Sequence, residues 1–203
     1  MTYPEFFARA PVVRVRDRLA GLLGAAEDGV MDYHYADAVR LAGHSCPTVA
    51  GAFLIGRAAL AALYPDELPE RGGVSVHMPA PATEGTTGVI GQVLTLLTGA
   101  AADNGFHGLA GQHVRRGLLS FAQAPDGDAI VFRRLDTGAS VALTLDVSSV
   151  PADPAQRMLL GAVLQGSADE AQRQAFGQAW QARVRRLLLD HADDPQVIRV
   201  QRH

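Results

Sequence analysis

The sequence contains no lysine: all 18 of its basic residues are arginine. That absence excludes Schiff-base chemistry on a lysine amine, a pyridoxal phosphate linkage, and a P-loop that reaches phosphate through its lysine. Cysteine is almost as scarce. With Cys46 alone, no internal disulfide can form and no zinc ribbon of paired thiolates can be built, so any metal site must lean on histidine and oxygen. No stretch offers about 20 uninterrupted apolar residues, and the first residues lack the basic-then-apolar pattern of a secretory leader. The expectation is a soluble, cytoplasmic protein without a membrane partner. A formal charge of -3 exerts no long-range pull on nucleic acid, and the short run Arg14, Arg16, Arg18 reads as a solvated arm.

What is present suffices for one sizeable core. The 203 residues are 48% hydrophobic and read as a single domain: an N-terminal arm and helix over 1–30, a core over 31–148, and a helical C-terminal extension over 149–203. In the arm, a helix is expected around Val13 to Leu23, before a polar turn at Glu27-Asp28-Gly29. Tyr35 to Leu41 has helical character and is stopped by Gly43. Pro47 suits the first position of a second helix, because its missing N–H is not needed there. That helix runs to about Leu63, and its many alanines and glycines allow another backbone to come close.

Val74 to Met78 alternates as a strand, with Val74 and Val76 on one face and Ser75 and His77 on the other. Helical spacing resumes from Gly88 to Leu97, with Gly99 placed to cap it, and a glycine-rich loop follows from Asn104 to Gly111. Leu118 to Ala122, Ala129 to Arg134 and Val141 to Asp146 are separated by turn signals at Asp126-Gly127 and Asp136-Thr137-Gly138. They read as an antiparallel meander. Beyond Pro151 the pattern is helical, with Ser167 and Glu170 as a capping box and Phe176, Trp180, Val184 and Leu188 recurring every four residues. The fold class is α+β: a helix-strand-helix-three-strand core with a mixed sheet.

Chemistry concentrates at Gly43-His44-Ser45-Cys46-Pro47. Cys46 falls at the N-cap of the helix that Pro47 opens, where free N–H groups and the positive end of the helix dipole favour a negative sulfur. A thiolate near an imidazole can ligate zinc or a similar metal, or act as a nucleophile with a neighbouring base. The plain alternative is that Cys46 is a small core residue and His44 bonds a loop carbonyl. Spacing does not choose among these.

The segment Gly43-His44-Ser45-Cys46-Pro47, followed by a small-residue helix, resembles the G-H-x-C-P opening of the FmdE family, named for a component of formylmethanofuran dehydrogenase. The likeness continues in Leu97-Thr98-Gly99, in the glycine-rich loop, and in Val131 to Gly138, which is similar to the family's strand and R-x-D-T-G turn. It covers about residues 31 to 148, in family order. The resemblance implies a core of helix, strand, helix and three strands, a homodimer, and a bound transition metal. Zinc is the default, with iron or nickel as alternatives, and His44 and Cys46 are the implied ligands.

The chain departs from the family in two ways. A further cysteine of many relatives is replaced by the stretch Glu84 to Gly88, and a C-terminal module of paired cysteines is missing. Extra histidines, His77, His107 and His113, are candidates to replace the lost thiolates, with His34 a weaker one; His191 and His203 read as bystanders. Glu84 is a candidate ligand, a carboxylate orienting an imidazole, or a general base. The implied role is an accessory in metal or cofactor handling or beside a redox enzyme. The alternatives are a metal-dependent enzyme that activates water or substrate, a haem-binding module using histidine or cysteine as axial ligand, and a metal-free structural protein or thiol enzyme.

Overall fold

The N-terminal stretch is governed by a two-residue period. Val13 and Val15 are buried while Arg14 and Arg16 face solvent, so β1 (Val13–Arg16) is a strand, paired antiparallel with β2 (Val30–Tyr33). This corrects the helix expected from Val13 to Leu23. Only α1 (Arg18–Leu22) is helical, and Asp17 caps it by accepting from the N–H groups of Leu19 and Ala20. The computed structural model describes residues 3–124 and 127–202. Asp126 of the expected Asp126-Gly127 turn and His203 lie outside the described residues.

Two helices follow in the expected places. α2 (Tyr35–Ala42) opens with a capping box between His34 and Asp37 and ends at Gly43, whose φ of 77° is left-handed. α3 (Pro47–Leu63) is the centre of the molecule and is buried along most of its length. Its glycines allow close approach. A β-carbon on Gly56 would stand 2.6 Å from the Leu97 side chain, and one on Gly51 would strike Leu145. Tyr35 stacks edge-on between Phe7 and Phe53, which ties the N-terminal segment to α3.

The main sheet has five strands: β3 (Val74–His77), β4 (Leu119–Ser120), β5 (Ile130–Arg134), β6 (Ser140–Leu145) and β7 (Ile198–Arg202), in the order β4-β3-β5-β6-β7. β4 pairs with β3 in parallel, and the other neighbours are antiparallel. The mixed sheet and its helices make an α+β fold, as expected, with α4 (Thr87–Thr98) capped by Gly99 at φ 74°. The meander is corrected. β4 is not a hairpin partner of β5, because the chain between β3 and β4 contains α4, and a helical crossover returns a strand parallel to the one it left.

The C-terminal extension is not wholly helical. α5 (Pro154–Leu164) and α6 (Glu170–Arg185) lead, through a π-helical turn at Arg186–Asp190, to β7, which extends the sheet beside β6. The capping box of α6 is Asp169 with Gln172, not Ser167 with Glu170. Of the apolar stripe, Val184 and Leu188 are buried, while Phe176 and Trp180 are half-buried and lean on one another at 5.6 Å. Among the described residues, no helix is long and apolar enough to cross a membrane.

Candidate functional site

The segment between α2 and α3 is held from both sides. Cys46 is buried at the N-cap of α3, and its Sγ accepts from the Val49 N–H at 3.5 Å, with Pro47 at the first helical position. The Tyr35 hydroxyl donates to Ser45 Oγ at 2.9 Å, and Ser45 Oγ donates in turn to Gln181 Oε1 at 2.9 Å. Burial pushes the Tyr35 phenol well above its ordinary pKa, so it stays a neutral donor. α6 completes the clamp: Trp180 Nε1 and Gln181 Nε2 both donate to the Ser45 carbonyl, at 3.0 and 3.2 Å. His44 is exposed, with Nδ1 2.9 Å from the carbonyl of Ala42, the last residue of α2.

The other candidate residues are dispersed. His77 lies on the sheet face away from α3, with Nδ1 2.8 Å from Ser120 Oγ and Nε2 3.2 Å from Ser75 Oγ. Burial, helped by the charge of Arg133, lowers its pKa and favours the neutral ring. His107 is exposed in the glycine-rich loop. His113, at a left-handed φ of 59°, lines a shallow cavity with Arg18 and Asp28. Glu84 is exposed in the turn before α4. His34 caps α2. Among the described residues, no group of three or more His, Cys, Asp or Glu stands close enough together to hold a metal ion.

The structure instead opens a cleft of about 560 Å³ along α4. Gly88, Gln92, Thr95 and Leu96 of α4 form one wall. Leu41 closes one part of it, and Ala101, Ala102 and Asn104, with Leu119 and Phe121, close the rest. The mixture of apolar surface and a few polar groups is typical of small-molecule sites. Among the described residues one charged residue lines it, Arg71. Arg71 Nε donates to the Leu96 carbonyl at 3.0 Å, and its Nη1 meets Asp17 at 2.9 Å. Nη2 lies 3.4 Å from the Thr95 carbonyl, and the guanidinium stands 5.6 Å from the Tyr33 ring centre. Two of its five N–H groups remain without a protein acceptor among the described residues.

Behind Arg71, Asp17 also binds Arg115 at 2.8 Å, and Arg115 donates to the Arg71 carbonyl. Burial alone would raise the Asp17 carboxyl pKa. The Arg71 hydrogen bond and the nearby charges of Arg115 and Arg71 outweigh it, so the pKa falls below its ordinary value and the carboxylate stays ionised. Two guanidinium groups share this one carboxylate, with the charge of Glu70 also acting on Arg115, and Arg71 is the member of the cluster that lines the cleft. Sequence reasoning does not find this cluster, because its members are separated by 54 and 98 positions and none sits in a motif.

No protein-family model and no curated protein matches this chain.

Proposed function

We propose that this chain is an FmdE-type protein that works through the α4 cleft, binding a small, largely apolar molecule that carries one anionic group. One observation carries the reading. Stretches that lie far apart in sequence border the same cleft around its one arginine: Leu41 just before the Gly43 to Pro47 segment, Ala82 and Gly88 about the place where the chain departs from the family, and Asn104 at the start of the glycine-rich loop. Arg71 is the group that would receive the anion, since a guanidinium with spare donors pairs well with a carboxylate or phosphate.

Native mass spectrometry of the purified protein, with thermal-shift screening of aryl and alkyl carboxylates, tests this. Gln92 is exposed on α4 and lines the cleft, so Gln92→Trp would fill it without disturbing the core. Binding that is lost in Gln92→Trp supports the reading, whereas ligands that bind the variant equally well place the site elsewhere.

The metal reading keeps one supporting observation, the Cys46 sulfur at the N-terminal amides of α3. The described residues of one chain assemble no group of three donors, so a closed centre would need ligands from a second copy, the homodimer that the resemblance implies. A metal-handling accessory of a redox enzyme would then carry one metal per dimer, with zinc the default and iron or nickel the alternatives. Elemental analysis separates the two. Metal retained by the wild type and lost in Cys46→Ser supports the dimeric centre, and metal-free protein that still binds carboxylates supports the cleft alone. Haem is not adopted, because the residues lining the cleft include no histidine or cysteine.

A further inference from the structure

The two-residue period of side-chain direction along β3, β5 and β6 gives the sheet two unlike faces. Val74, Val76, Phe132, Val141 and Leu143 belong to the main core with α3. Register places Ser75, Arg133 and Ser140 in one row across the three strands on the other face. Ser120, His77, Val131 and Ala142 form the next row. A pocket of about 360 Å³ opens over these rows, walled by His77, Gln123, Arg133, Gly138 and Ser140, with Val131 also lining it.

The arginines of β5 divide sharply. Arg134, on the core side, meets Glu67 and Asp136, each at 2.7 Å, and stacks on Tyr64 at 4.0 Å. Arg133 lines the pocket, and its guanidinium has no ion pair or hydrogen bond among the described residues. Among the described residues no carboxylate lines the pocket either. Both nitrogens of His77 are engaged by Ser75 and Ser120, which fixes the ring and leaves Arg133 as the pocket's formal positive charge. The remaining polar groups are the Ser140 hydroxyl and the Gln123 amide, both able to donate. A concave site with one unpaired guanidinium and neutral donors around it is built for an anion with several acceptor oxygens, not for a metal cation.

We propose that this pocket binds a tetrahedral oxyanion of the phosphate type, with Arg133 as its counter-charge and Ser140 and Gln123 as neutral donors. The site is separate from the α4 cleft. Isothermal titration with inorganic phosphate at fixed ionic strength should give one saturable site on the full chain. Arg133→Gln, at an exposed position, should fold as the wild type does by circular dichroism and should bind at least about tenfold more weakly. Ser140→Ala should weaken binding about threefold, and Gln92→Trp should leave it within about twofold.

Glycerol phosphate identifies the source: tighter binding than inorganic phosphate assigns the pocket to a phosphomonoester group, and equal binding assigns it to the free anion. No saturable binding by the wild type, or unchanged binding by a folded Arg133→Gln, would overturn the proposal. Phosphate binding lost in Gln92→Trp and kept in Arg133→Gln would move the anion site to Arg71 and overturn it as well.

Discussion

Arg115 meets Asp17 at 2.8 Å across 98 residues of chain, at the point where the same carboxylate caps α1 and holds Arg71 at the cleft. One buried side chain therefore joins the N-terminal hairpin, the loop before β3 and the segment before β4. Breaking a buried pair by removing one partner leaves uncompensated charge, which costs about 3–5 kcal/mol. Asp17→Asn keeps a side-chain oxygen for the cap but strands two guanidinium groups. Urea denaturation should show a loss in that range at neutral pH.

The same cluster sets an acid dependence. Because the folded-state pKa of Asp17 is depressed, its contribution is fully present above the unfolded carboxylate value of about 3.9 and is lost as pH falls through the folded value. The stability difference between wild type and Asp17→Asn should therefore be flat from pH 7 to about 5 and shrink below about 4. A difference that stays constant down to pH 3 would show that Asp17 acts by packing and not by charge.

Gly72 guards this arrangement. Its φ is +88°, a left-handed value that disfavours a side chain, and a β-carbon there would overlap the Arg115 guanidinium. Gly72→Ala should cost about 2 kcal/mol or more and expel Arg115 from Asp17. The two sites should then couple. Asp17→Asn made in the Gly72→Ala background should cost clearly less than in the wild type, as a double-mutant cycle would measure.

Local signals in the sequence located most elements, and long-range pairing did not. Pro47 at a helix start, Gly43 and Gly99 at helix ends, and the Val74 to His77 alternation each report their own few residues, and each matches the structure. The strand at Val13 was hidden because a short V-R-V-R run sits directly before a helical stretch. β7 was hidden because Ile198–Arg202 has no hairpin turn to announce it and gains its partner from β6, more than 50 positions earlier. Position at the helix N-cap made Cys46 legible. The Arg71 cleft and the Arg133 pocket were not legible, since each is assembled by register and packing between distant segments.

Arg134 tests whether the Arg133-Arg134-Leu135-Asp136-Thr137-Gly138 turn needs arginine or only a positive charge. Its guanidinium makes parallel bonds to both Asp136 oxygens at 2.7 Å, donates to the Leu63 carbonyl at 3.1 Å, and covers the Tyr64 ring. An ammonium group keeps the charge but cannot reproduce the fork or the stacked plane. Arg134→Lys should lower the melting temperature by about 3–6 °C, while Asp136→Asn, on an exposed partner, should lower it by about 2 °C at most.

The clamp on Ser45 makes the exposure of Cys46 depend on α6. Cys46 is 8% exposed, and the loop before it is fixed by Trp180 and Gln181 bonding the Ser45 carbonyl from about 135 residues away. Trp180→Phe keeps an aromatic ring but removes the pyrrole ring and its N–H, and the lost hydrogen bond alone costs about 1 kcal/mol. If the reactive sulfur becomes accessible by local opening of this loop, that loss raises the open population about fivefold without global unfolding. Labelling of Cys46 by a thiol reagent in the native protein should accelerate by the same factor, and its rate should depend only weakly on urea below the unfolding transition. A labelling rate that rises with urea as steeply as global unfolding does would mean that Cys46 is released by unfolding of the α3 core, and that α6 supports the fold without gating the thiol.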